Sequence, residues 1–162
     1  MNLHLLPLAS VYVLGAWVLW PLGWYVSLAY GLFAIISNLV FISTVCACCA
    51  NFGRPGCESG YGPVSARLVR RGRPQDFPGC FRRYIPLVAA GWALPVVGGT
   101  VNLYMSIGNL RAFLFEFLAV LVFSIVAFGV LPRSSRESCA RCAQRGNCPG
   151  ARFTVGGGRR KA

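Results

Sequence analysis

Between Leu5 and Cys46 the chain carries no Asp, Glu, Lys or Arg. At about 1.5 Å per residue, one helix of that length would reach twice across a ~30 Å hydrocarbon core, so the run must turn back on itself. The turn is placed at Pro21-Leu22-Gly23, because proline disfavours helix for the residue before it and glycine permits a tight reversal. Trp17, Trp20, Trp24 and Tyr25 cluster around that break. Their rings favour the headgroup layer, where the apolar body is buried and the N–H or O–H stays wet. The pattern therefore predicts helices over 5–20, short for a span, and over 24–45. From Asn51 to Arg83 the composition changes to Gly, Pro and Arg, a polar connector with room for one short helix over 64–71. Residues 84–107 are apolar again, and Pro86, Pro95 and Gly98-Gly99 predict a kinked or loosely packed third helix. Asn109 and Arg111 mark a turn into a fourth helix over 110–131, stopped by Pro132, and the basic tail that follows is expected to be disordered at its end.

Composition supports lipid as the solvent. Hydrophobic residues make up 56% of the 162 and charged residues 12%, against roughly 25% charge in an ordinary soluble domain. The expected fold class is all-α: a polytopic four-helix transmembrane bundle over 1–135, including a connector 49–83, followed by a cysteine-rich, basic tail over 136–162. A net charge of +12 is also the footprint of phosphate binding, but the basic residues lie between or after the apolar runs. With four crossings, Arg54, Arg67, Arg70, Arg71, Arg73, Arg82, Arg83, Arg133 and all basic residues of the tail share one face, and only Arg111 falls opposite. That is the positive-inside pattern. It predicts a multi-pass cell-membrane protein with both termini, connector and tail in the cytoplasm, and no nucleic-acid partner. No basic n-region precedes the first apolar run and no lipidation motif is present, so neither cleavage nor a lipid anchor is expected.

All eight cysteines map to the same face: Cys46, Cys48, Cys49, Cys57, Cys80, Cys139, Cys142 and Cys148. The cytosol keeps thiols reduced, which favours metal ligation over a disulfide framework. Cys46-Ala-Cys48-Cys49 contains a CxxC that continues to Cys57, and Cys139-Ala-Arg-Cys142 continues to Cys148. A CxxC can place two sulfurs on one turn, close enough for a tetrahedral zinc or an iron–sulfur cluster. Each group lacks a fourth ligand, for which Cys80 and Cys48 are the candidates. The competing readings are lipidated or structural cysteines, and a redox dithiol.

The run from Cys46 through Cys57-Glu58-Ser59-Gly60-Tyr61-Gly62, together with the ending Cys139 to Cys148-Pro149-Gly150, resembles a family of small prokaryotic four-helix membrane proteins. The resemblance covers most of the chain and implies no particular activity. The tail spacing is also similar to the start of auxiliary iron–sulfur motifs in radical enzymes, but the matching fourth cysteine is absent here.

The expected function is a cytoplasmic-face thiolate site for an iron–sulfur cluster or zinc, serving electron transfer or assembly with a membrane or cytoplasmic redox partner rather than catalysis. The alternatives are a soft heavy-metal carrier and, were the topology reversed, a quinone-linked thiol–disulfide oxidoreductase. Glu116 is the sole acidic residue within a predicted helix, a candidate for proton or ion handling unless it reaches headgroup water or Arg111. Asn38 and Asn102 are expected to form interhelical hydrogen bonds. No phosphate loop, dinucleotide fingerprint or Ser-His-Asp arrangement is present.

Overall fold

The computed structural model describes residues 6–54, 61–133 and 148. It is all-helical, with no strand among the described residues: α1 is Leu6–Leu19, α2 Trp24–Thr44, α3 Tyr61–Leu68, α4 Phe77–Met105 and α5 Leu110–Ser124. Trp20–Leu22 forms a 3-10 turn, and Gly23, at φ +128°, takes the reversal into α2. Only a residue without a Cβ adopts that conformation readily. After α5 the chain continues through a π-helical stretch, Ile125–Val130, and stays helical to Arg133. The expected stop at Pro132 is therefore displaced. The wider turn precedes a proline that has no N–H to offer the Phe128 carbonyl four residues earlier.

The third long helix starts at Phe77 rather than at Tyr84. Pro74–Asp76 forms a 3-10 turn leading into it, and Pro78 sits in its first turn, where the missing N–H has no helical partner to lose. The short connector helix lies three residues earlier than expected at both ends.

Packing contacts fix the directions of the long helices. Ser27 on α2 donates to the Ala16 carbonyl on α1, and a Cβ on Gly15 would meet Tyr30, so these two run antiparallel. Gly91 of α4 lies against Tyr12, and Gly98 and Gly99 against Leu19 and Val18, so α4 runs parallel to α1. Gly99 also meets Val120, and the Trp92 and Phe128 rings pack edge to face, which makes α5 antiparallel to α4. Helices α1 and α4 each touch both other long helices. Val11, Val18, Phe123, Ala127 and Leu131 form the core between them. One end of the molecule thus holds the α2–α4 connector and the chain beyond α5. The other holds the Trp20–Gly23 turn and the α4–α5 turn.

Three helical stretches are long and apolar enough to cross a membrane: Trp24–Cys48, Pro74–Met105 and Leu110–Arg133, with mean hydropathies of 2.1, 1.5 and 2.6. The α1 region, Ala9–Leu22, is apolar but shorter. Leu28, Leu32, Ile35, Ile36 and Leu39 on α2, and Leu114, Leu118, Leu121 and Ile125 on the last helix, are all exposed.

Candidate functional site

The connector end is where the described cysteines collect. Cys46–Cys48 is a 3-10 turn added directly to the end of α2, and Cys49 leaves it with extended backbone at φ −79° and ψ 145°. This local geometry divides the first CxxC. Cys46 packs with Ile42 and Tyr61 in one apolar cluster. Cys48 is buried with Val45 and Phe77 in another, and Cys49, Cys80 and Cys148 pack against that second cluster.

Within it, the Cys48 and Cys80 sulfurs stand 3.9 Å apart, and both are free thiols. Their meeting is a consequence of the antiparallel packing of α2 on α4. Phe41 near the end of α2 meets Phe81 of α4 edge to face, with centroids 6.3 Å apart, and the Phe77 ring lies tilted against Phe81 at 5.9 Å. Cys80, in the first turn of α4, is thereby placed opposite the turn that carries Cys48. The connector closes over the site from the third side. Gly72 donates its N–H to the Ala47 carbonyl at 2.9 Å, and a Cβ at position 72 would stand 2.8 Å from the Cys48 sulfur. Only glycine lets the backbone pass there without moving the thiol.

Tyr61 of α3 donates a 2.6 Å hydrogen bond to Asn38 Oδ1, whose own Nδ2 donates to the Ala34 carbonyl at 2.7 Å. Asn38 therefore makes the interhelical bond expected of it, and it anchors α3 along the last turns of α2. Asn102 does not: its Nδ2 is buried with no hydrogen-bond partner.

Sequence spacing drew attention to Cys46 with Cys49, and the structure adds a contact between the Cys48 and Cys80 sulfurs, 32 residues apart. Cys57, Cys139 and Cys142 lie outside the described residues, and so does any convergence within the tail group; Cys148 packs against the Cys48 cluster. Among the described residues, no group of three or more Cys, His, Asp or Glu side chains is placed to hold one metal ion. The chemistry on hand is a dithiol in an apolar enclosure, with two further cysteines around it. Comparison of the chain with protein families, with curated proteins and with solved structures returns no match.

Proposed function

We propose that the chain is an integral membrane protein of four spanning helices that binds a single soft metal ion, zinc first among candidates, on cysteine thiolates at its cytoplasmic end. Cys48 and Cys80 are the primary ligands, and Cys49 and Cys148, which pack against the same cluster, would have to draw in to complete a four-sulfur set. The role that follows is structural or one of metal handling, in partnership with another protein, rather than catalytic turnover.

The observation that carries this reading is the 3.9 Å separation of the two sulfurs. Two thiolates on one tetrahedral zinc, with Zn–S near 2.3 Å, stand about 3.8 Å apart. In an iron–sulfur cube each cysteine caps a different iron, which holds the sulfurs well beyond contact with one another. The pair therefore favours a single ion over a cluster. All-sulfur ligation suits zinc or another soft ion better than magnesium or calcium.

Membrane insertion is supported by the three long apolar helices and by the apolar side chains they turn outward. Helix α4 has 29 residues, about 44 Å at the standard rise, so roughly nine overhang a ~30 Å core. Arg82 and Arg83, both exposed near its start, fall within that overhang. Exposed Arg67, Arg70, Arg71 and Arg73 lie on the same connector, and by the positive-inside rule this supports a cytoplasmic cysteine end.

The test is metal analysis of protein purified anaerobically. About one equivalent of zinc should accompany the wild type, and Cys48→Ser or Cys80→Ser should lose most of it. Metal-free wild type overturns the reading. If that metal-free protein loses two thiols on exposure to a quinone, the pair is a redox dithiol instead.

A further inference from the structure

Outside the cysteine end, the least expected side chain is Glu116. It is 6% exposed on a helix whose one other charged residue is Arg111, and no hydrogen bond or ion pair reaches its carboxylate among the described residues. Asn102, on α4, is 7% exposed, and its Nδ2 is the unpartnered amide noted above.

These two residues share a level of the α4–α5 interface. Gly99 packs against Val120, and the two helices are antiparallel. One turn outward from that contact, the same face of α4 presents position 102 and the same face of α5 presents position 116.

Among the described residues, no basic side chain is placed to balance the charge. Helix α1 has none, and those of α4, Arg82 and Arg83, are at its opposite end, about 28 Å from Asn102 along the axis. Arg111 precedes Glu116 by five residues on α5, which turns it about 140° around the helix, and it is exposed. Of the two alternatives to a functional role, headgroup water and Arg111, the second is not seen: no ion pair joins Arg111 to Glu116. A buried carboxylate without a partner is unfavourable in apolar surroundings. A cation supplied from outside the chain would balance it.

We propose that Glu116, with Asn102 beside it, binds one exchangeable monovalent cation, either a proton or an alkali metal ion. The amide fits both. It can turn Oδ1 toward a metal ion or toward a protonated carboxyl, and its Nδ2 can donate to the carboxyl oxygen that carries no proton. The site lies toward the tryptophan-bearing end, remote from the cysteines and independent of any metal held there.

Dicyclohexylcarbodiimide, an apolar reagent that adds to protonated carboxyl groups in apolar surroundings, tests the proposal on the full chain in detergent or lipid nanodiscs. Peptide mass spectrometry should find the adduct on Glu116 in mildly acidic, sodium-free buffer, and not on exposed Asp76. Glu116→Gln should abolish it. Protection by added sodium or potassium identifies an alkali-ion site, and persistence of the adduct identifies a proton site. Asn102→Ala should shift the half-point of labelling, in pH or in salt, several-fold. No adduct in sodium-free buffer, or equal labelling of Asp76, overturns the proposal. An unchanged half-point in Asn102→Ala overturns the part assigned to Asn102.

Discussion

Tyr30 shows how one side chain can make a proline tolerable in the middle of a long helix. Pro95 is buried inside α4 and has no N–H, so the Gly91 carbonyl four residues before it lacks its helical donor. The Tyr30 hydroxyl, on α2, donates to that carbonyl at 3.0 Å. The sequence predicts a kink or loose packing around Pro86, Pro95 and Gly98-Gly99, and the helix is continuous through both prolines from Phe77 to Met105. The compensating donor lies 61 residues away along the chain, and nothing in local spacing announces it. Tyr30→Phe should cost about 1–3 kcal/mol, the penalty for an unsatisfied buried acceptor. Reversible unfolding in detergent measures it. In a Pro95→Ala background, where position 95 regains an N–H, the same Tyr30→Phe change should cost less. Equal costs in the two backgrounds would break the link between the proline and the hydroxyl.

At the scale of elements, α4 is the helix around which the others are arranged, and its small residues explain why. Gly91, Pro95, Gly99 and Asn102 are buried at helical spacing, and Gly98 is half-buried beside them. A Cβ on Gly99 would collide with Val120 on α5 and Val18 on α1, and one on Gly98 with Leu19. Gly99→Ala should therefore destabilise by about 1–3 kcal/mol, the range for an overpacked core. Gly31→Ala, in α2 where a Cβ meets nothing within 4 Å, should be neutral or stabilising by up to about 1 kcal/mol. Comparing the two variants by thermal unfolding checks the packing account, since a similar response would remove it. The long helices were legible because apolar runs and the breaks at Pro21-Leu22-Gly23 and Asn109 are local signals. The true start of α4 was not, because Pro74, Pro78 and Arg82-Arg83 read as connector composition, although a first turn accepts proline. The Cys48–Cys80 contact was only half legible. Both residues stood out as candidates to complete a site, but their pairing comes from α2 packing on α4, which the spacing of cysteines along the chain does not encode.

At the scale of the whole molecule, the two ends differ in kind. The connector end carries exposed Arg54, Arg67, Arg70, Arg71, Arg73, Arg82, Arg83 and Arg133 around the cysteines. The other end has exposed Trp17, Trp20, Trp24 and Tyr25 and, among the described residues, a single basic residue, Arg111. Basic residues tend to be retained on the cytoplasmic side and indole rings to settle at the headgroup layer, so this asymmetry predicts an orientation. Gly108 provides a site to test it. It is exposed in the α4–α5 turn, and a Cβ there meets nothing within 4 Å, so Gly108→Cys should fold as the wild type does. In intact cells a membrane-impermeant maleimide should label Gly108→Cys and leave the wild type, with its native cysteines including Cys57 and Cys139, unlabelled. After lysis in denaturant both should react, which guards against mistaking burial for sidedness. Labelling of the wild type in sealed cells would invert the topology. The thiols would then face the oxidising side, where a disulfide-forming role for Cys48 and Cys80 becomes the stronger reading than metal ligation.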